Sequence, residues 1–426
     1  MSSTRKNTNP VMHPMPAAAS SPAWRRALLL ALVVLALWAG WRIYGQLRAE
    51  QAVADADPAL ALQWRPEFSA ALLAQAERQL AAGDLQAAQD SARRVLANSP
   101  LRGQAFRILA QVADRRGDAA QALRLYQIAA RRAPRDLPSR AWLAQHYLQQ
   151  RQYSAALEQI DSLLRMAPNR AAAINPVLVQ MAQEPAFADV LAHMLAGNPP
   201  WREGTLAALR DPKAGDPEAA GRIMQALQAQ GGLSQDEYDR WLDSLMAQGR
   251  WGEAYARWAS GAPKPDGRLP LLYNGDFRQA PTNAGFDWRW KRVPGVLLDF
   301  VPDAGIRGQA AYLNFLDRRV PEAGLGQPLL LGPGRYRLSL RARATALRSE
   351  MGLQWQVVCA GSGMILGRSD PLQGNMGWTP FQMEFTVPPA RCPGQWLRLV
   401  NPVPAGAAQR VSGELWLTDF TLLPQT

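Results

Sequence analysis

Two hydrophobic rhythms divide the chain. From residue 69 to about 261 apolar residues recur every three or four positions, the spacing of one helix face. Beyond about 271 they recur every second position, the spacing of a strand with one buried face. Set in rows of 34, residues 69–170 fall into columns: Ala76, Ala110 and Ala144; Gly83, Gly117 and Arg151; Ala88, Ala122 and Ala156; Pro100, Pro134 and Pro168. Alanine lets two helix backbones approach, glycine permits the turn between them, and proline stops the second helix. A fourth unit, out of phase, occupies "QDEYDRWLDSLMAQGRWGEAYARWA" from residue 235, with Gly249 and Ala254 at the turn and crossing. Between 171 and 234 the chain reads as helices broken at Pro185, Pro199-Pro200 and Gly231-Gly232. One continuous α-solenoid over 66–261 is expected.

The period and its columns resemble the tetratricopeptide repeat (TPR), in which stacked helix pairs share a core that no single pair could bury. That resemblance implies a concave groove, lined by each first helix, that receives a peptide or partner protein. The matching positions here include Arg107, Gln111, Asp114, Arg115, Gln145 and Gln149. A solvated helix face would carry the same residue types, so both readings stand.

"SGAPKPDGRLP", residues 260–270, is a Pro/Gly-rich boundary. After it, "LLYNGDF" reads as a first strand and turn. "RYRLSLRARA" then sets Tyr336, Leu338, Leu340, Ala342 and Ala344 on one face and arginines opposite. "LQWQVVC", "FQMEFTV" and "ELWLTDF" alternate likewise, which predicts an antiparallel β-sandwich over 262–426. "NGDF", "GPGRYRLSLRARA", "GWTPFQMEFTVP" and "GELWLTDFTLL", in that order, resemble jelly-roll carbohydrate-binding modules of the galactose-binding-like kind. The resemblance implies a structural calcium held by acids that here would be Asp276 and Asp419. The expected third acid is replaced by Arg278, a cation that suits an ion pair instead, and no metal is predicted. It also implies glycan binding by rings stacked on pyranose faces, with Trp288, Trp290, Trp378, Trp396 and Trp416 as candidates. The strand parity turns Trp396 and Trp416 away from their leucine neighbours. With Arg337, Arg341, Gln354, Gln356, Glu384 and Arg398 they are expected to form one polar-aromatic face suited to an acidic polysaccharide. The alternative for each tryptophan is core capping or packing against the solenoid. Trp355 shares the parity of Val357 and Cys359 and is assigned to the core.

Before the repeats, residues 1–24 are Pro-, Ser- and Ala-rich and expected to be a disordered tail. The uncharged run Ala27–Trp41 continues past Arg42 to Tyr44. Trp38, Trp41 and Tyr44 suit an interfacial belt, and Arg42 can snorkel, so residues 25–45 read as a single-pass signal anchor. No small-x-small cleavage site directly follows it; a cleaved signal peptide is the alternative. Four basic residues precede the span against two after it, which keeps the N-terminus cytoplasmic. In a bacterium the bulk is then periplasmic, beyond the inner membrane, and residues 46–65 form a linker. That compartment suits a Cys359–Cys392 disulfide, the chain's two cysteines. Closing that loop stabilises the fold by roughly 3–4 kcal/mol on the chain-entropy model, with two buried thiols as the alternative.

Composition then removes several functions. The net charge of +12 is almost wholly arginine, scattered along helices with no nucleic-acid motif, so nucleic acid is not an expected partner. The three histidines are His13, His146 and His193, none in the β-region, which excludes His-based metal and triad chemistry there. Glu322, Glu350, Glu384, Glu414 and Asp419 offer no evident acid/base pair, and no cofactor is implied. The expectation is a non-catalytic, membrane-anchored scaffold that grips a membrane-embedded or periplasmic protein and touches a glycan. Its build resembles periplasmic repeat proteins of proteobacterial surface-polysaccharide systems. The alternative is an assembly factor for envelope or secretion machinery whose sandwich binds protein.

Overall fold

The computed structural model describes residues 22–211, 213, 215–264, 267–303, 305–402 and 408–425. They form two compact units, one ending at Pro168 and the other running from Asn169. A TPR-like α-solenoid is followed by an antiparallel β-sandwich, the fold class the two rhythms predict.

The first unit holds α1 (Pro22–Ala54), α2 (Pro58–Trp64), α3 (Ser69–Ala81), α4 (Leu85–Asn98), α5 (Gly103–Arg115), α6 (Ala119–Arg132), α7 (Leu137–Gln149) and α8 (Tyr153–Met166). From α3 to α8 the hairpins repeat in strict register with the sequence rows. Ala76, Ala88, Ala110, Ala122 and Ala156 are wholly buried, and Ala144 nearly so, where the helices cross. Gly83 and Gly117 adopt φ of +85° and +80° in their turns. Arg151, in the same column, is forced to +55°, a conformation glycine adopts without the Cβ penalty. Asp84 and Asp118 then cap the next helix by accepting the backbone N–H of Ala87 and Gln121, whereas Gln152 makes no side-chain cap.

Among the described residues α1 is the one helix long and apolar enough to cross a membrane, as a span or a signal sequence would. Its N-terminal half is exposed, while Ala49 and Ala52 at its other end are buried against Ala61 of α2 and Ala71 of α3. The helix runs beyond the predicted 25–45 at both ends. The expected linker over 46–65 is helical too: apolar residues at helical spacing continue to Ala52, and Asp57 with Pro58 starts α2 anew. Residues 1–21 of the predicted tail lie outside the described residues.

The second unit opens with α9 (Ala171–Met181), α10 (Pro185–Ala196), α11 (Arg202–Arg210), α12 (Pro217–Ala229), α13 (Gln235–Ala247) and α14 (Trp251–Gly261). The expected continuous succession of hairpins is interrupted here, because α9 packs on α11 and α10 on α12. Pro176 inside α9 and the missing Gly/Ala/Pro columns remove the local signal that keeps sequential helices paired. A buried strut holds the alternative arrangement: Arg202 of α11 donates to both carboxylate oxygens of Glu237 and to the carbonyls of Leu195 and Gly232. Burial raises the Glu237 pKa, but bonds from Arg202 and from the backbone and hydroxyl of Ser234 overcome that and hold it at about 2. The α13–α14 hairpin restores the repeat pattern, with a Ser234/Glu237 capping box and Gly249 at φ +79°.

The strands are β1 (Arg289–Trp290), β2 (Val296–Pro302), β3 (Gln309–Arg319), β4 (Glu322–Leu329), β5 (Gly334–Arg348), β6 (Gln354–Cys359), β7 (Ile365–Arg368), β8 (Gly374–Val387), β9 (Gln395–Val400) and β10 (Arg410–Gln425). Two five-stranded antiparallel sheets result, in the orders β1-β4-β9-β6-β7 and β2-β3-β10-β5-β8. Their inner faces enclose one core in which Phe277, Trp288, Trp355 and Phe420 pack ring against ring at 4.7–6.0 Å. "LLYNGDF" is a turn rather than a strand. Asn274 and Phe277 adopt left-handed φ, the Trp288 indole donates to the Asn274 carbonyl, and a Cβ on Gly275 would lie 2.0 Å from the Phe420 carbonyl oxygen. The turn seats Phe277 and Trp288 in the core. Cys359 and Cys392 form the predicted disulfide, with Cα atoms 5.2 Å apart.

Candidate functional site

On the outer face of the first sheet, β1 to β7 align a transverse row: Arg289, Gly326, Arg398, Gln356 and Arg368. Gly326 leaves a gap between two guanidiniums, and a Cβ there would meet the Leu397 carbonyl oxygen at 2.6 Å. Around the gap lies a cavity of about 320 Å³ lined by Trp290, Lys291, Glu322, Trp396 and Arg398 among others. A second, of about 580 Å³, shares Arg289, Trp396 and Arg398 and reaches Asp243, Met246 and Trp251 of the last helical hairpin. The two make one groove along the sheet.

The hairpin forms one wall of it. Trp251 meets Trp396 edge to face at 6.0 Å, and Trp258 packs on Tyr273 and Phe286. Glycine admits both indoles: a Cβ at Gly394 would lie 2.1 Å from Trp251, and one at Gly285 2.2 Å from Trp258. Asp243 of α13 takes a two-pronged bond from Arg289 at 2.9 Å. Lys291 pairs with Glu322 at 3.2 Å. Arg398, in contrast, has no hydrogen bond or ion pair among the described residues and lies 5.3 Å over the Trp396 ring. A half-exposed indole beside an uncommitted guanidinium in a concave site can stack on a sugar ring and donate to its hydroxyls.

The outer face of the second sheet carries a different set. A row runs Asp299, Tyr312, Trp416 and Arg343. Opposite Arg343 the β8 register slips, so that Gly377 and Trp378 both face it. Arg343 lies 4.1 Å over Trp416 and 5.5 Å over Trp378. Its charge is answered by Asp303 at 2.7 Å, as Glu384 answers Arg337 and Asp419 answers Arg341. Tyr312 donates to Glu414 at 2.5 Å, and that bond to a carboxylate pushes the phenol pKa up to about 12. Four of the five carboxylates singled out in the sequence have separate partners: Lys291 for Glu322, Arg337 for Glu384, Tyr312 for Glu414 and Arg341 for Asp419.

The single polar-aromatic face expected from the sequence is therefore two. Trp396, Arg398, Gln354 and Gln356 belong to β9 and β6 of one sheet; Trp416, Arg337, Arg341 and Glu384 belong to β10, β5 and β8 of the other. Parity fixes in or out along a strand but not which sheet a strand joins. Trp288 is wholly buried and leaves the list of sugar-stacking rings, because its indole fills the core beside Phe277. Trp290 lines the groove while packing on Phe300. Asp276 pairs with Arg278 at 2.9 Å, the ion pair that replaces a third acid, and both Asp276 and Asp419 line one cleft.

In the repeats, three of the six groove candidates, Arg107, Asp114 and Arg115, serve as struts between successive units, and Gln111 supports Arg107 from within the same helix. Arg107 bridges Glu77 and Asp136 and donates to Gln111; Asp114 accepts the Trp142 indole N–H; Arg115 donates to the Leu80 carbonyl. Gln145 and Gln149 stay exposed. Asp243, Trp251 and Arg289, which help make the groove, were not among the residues expected from the sequence. The pairs Trp251/Gly394 and Trp258/Gly285 were the available signal, yet their partners lie far apart along the chain.

Residues 115–175 match the family model described as Tetratricopeptide repeat. No curated protein matches the chain. Similar solved structures fall into two sets. "CBM4 structure and function" aligns at 16% identity with a TM-score of 0.27, over 36% of this chain and 99% of that one. The CBM22-1 xylan-binding domain of Xyn10C from Paenibacillus barcinonensis aligns at 15% and 0.24, over 35% and 91%. MamA aligns at 11% and 0.26, over 43% and 97%. Likenesses of this size carry no functional argument; the repeat match rests on its own columns, and the sandwich on its own strands.

Proposed function

We propose that the protein is a non-catalytic, membrane-anchored scaffold that binds a partner protein through its helical repeats and a polysaccharide through the groove on the first sheet. The observation that carries the glycan reading is the gap at Gly326, bordered by Trp290, Trp396 and the unpaired Arg398. The anchor reading is supported by α1, which runs unbroken into Ala49 and Ala52, packed beneath α2 and α3; removing the helix would strip part of that core. The flanking charges support an N-terminus in the cytoplasm and the disulfide supports a periplasmic bulk, and the scaffold would serve polysaccharide synthesis or export there.

The test uses the full chain in detergent micelles, run in native gels cast with xylan, a neutral β-glucan or polygalacturonate. Retention by at least one is expected, and Trp396→Ala with Arg398→Ala should weaken it by about tenfold or more, the effect of losing a ring stack and a charged donor. Free migration in all three gels would overturn the glycan reading. Photo-crosslinkers at Gln145 and Gln149 should trap a specific protein in cells if the repeats bind one.

A further inference from the structure

At the rim of the second sheet lies a cleft of about 960 Å³ that the reading above does not use. Arg268, Arg278, Arg307 and Arg341 line it together with Asp276 and Asp419. Arg278 is matched by Asp276 and Arg341 by Asp419. Arg268 and Arg307 have no hydrogen-bond or ion-pair partner among the described residues, and both are exposed. Among the described lining residues, four guanidiniums face two carboxylates, so two positive charges remain. Leu272, Tyr273 and Phe420 supply apolar wall.

We propose that this cleft binds the carboxylate of a hexuronate unit in an acidic polysaccharide, which rests on the reading of the sandwich as a glycan binder. Guanidinium forks match a carboxylate with two parallel donors. The volume suits one or two sugar rings, as small-ligand pockets of about 300–1,000 Å³ do. Continuity with the aromatic strip selects a sugar acid over a bare anion: Arg341, which lines the cleft, also lies 5.4 Å over Trp378, and Trp378 leads by way of Arg343 to Trp416 and Tyr312. A chain carrying a carboxylate on each ring can thus place one acid in the cleft and run its rings along the strip. The two aspartates keep Arg278 and Arg341 oriented and leave Arg268 and Arg307 as the binding donors.

Full chain in micelles is titrated with polygalacturonate and with its carboxyl-reduced, neutral counterpart, for wild type, the Arg268→Gln/Arg307→Gln double variant and the Trp396→Ala/Arg398→Ala double variant. Wild type should prefer the acidic polymer by about tenfold or more, with a preference that falls as salt rises. The Arg268→Gln/Arg307→Gln variant should lose that preference and its salt dependence while binding the neutral polymer as wild type does. Trp396→Ala/Arg398→Ala should instead retain the salt-dependent acid preference. Unchanged preference in Arg268→Gln/Arg307→Gln overturns the cleft and leaves the groove standing. Binding of neither polymer by wild type overturns both. Displacement by inorganic polyphosphate as effective as by oligogalacturonate marks a general anion trap and also overturns the proposal. Both substituted arginines are exposed and unpaired, so the double variant keeps its fold, which an unchanged circular-dichroism melt verifies.

Discussion

The two outer faces of the sandwich carry the same chemistry, an arginine over a tryptophan, and differ in what surrounds it. On the first sheet the α13–α14 hairpin walls the strands, a concave groove results, and Arg398 has no counter-charge. On the second sheet the strip is open, and Arg337, Arg341 and Arg343 are each answered by a carboxylate. Side-chain type alone does not make a site. The wall makes the groove, and it comes from the last helical repeat.

The most severe way to break this contrast is to remove the wall. Trp251 is buried among Trp396, Phe286 and the Gly394 backbone, so Trp251→Ala opens a large cavity in the seam. Truncating a buried tryptophan costs about 3–5 kcal/mol. Urea unfolding followed by circular dichroism should show that loss, and neutral-polymer binding by the groove should fall with it. Trp416→Ala on the open face should cost under about 1 kcal/mol, since a half-exposed ring opens no comparable cavity. Equal costs for the two would erase the distinction between the faces.

Acid should act on the same wall. Glu237 caps the start of α13, and its folded pKa of about 2 lies below the ordinary 4.5. A depressed carboxylate contributes stability that is present above the unfolded value and lost as pH falls through the folded one. The window is therefore pH 4.5 down to 2, and a shift of that size corresponds to on the order of 3 kcal/mol. Glu237→Gln should flatten the stability profile across that window. A profile as steep as that of the wild type would assign the acid sensitivity elsewhere.

What the sequence disclosed follows from the range of each signal. The repeat columns are local, spaced by one hairpin, and every one of them returned as a turn, a crossing or a helix end; the TPR resemblance was legible for that reason. Strand parity is local too, and it sorted Trp355 inward correctly. Membership of a sheet is not local. β9 and β10 are consecutive yet belong to opposite sheets, which is why Trp396 and Trp416 were grouped together and came out on separate faces. Trp288 was misplaced because "FDWRW" lies largely in a loop, where no alternation marks the inside, and an indole donating to Asn274 is visible only in three dimensions. Ion pairing was equally hidden. Arg107 and Asp114 looked free until the neighbouring units supplied Glu77, Asp136 and Trp142.

The gentlest probe of the contrast is the one charged tie across the seam among the described residues, Arg289 to Asp243. The pair is partly exposed, with side-chain exposures of 22% and 44%, so screening by solvent limits its worth to about 0.5–1 kcal/mol despite the two-pronged geometry. A double-mutant cycle with Arg289→Ala and Asp243→Ala isolates that coupling. Loss of Asp243 alone should also free Arg289 at the mouth of the groove, beside the unpaired Arg398, and so raise the affinity of the groove for acidic polymer while leaving the cleft on the other sheet unchanged. A rise that persists in the Arg268→Gln/Arg307→Gln background would place the new acid contact in the groove. A rise abolished there would mean that the two faces act on one polymer chain.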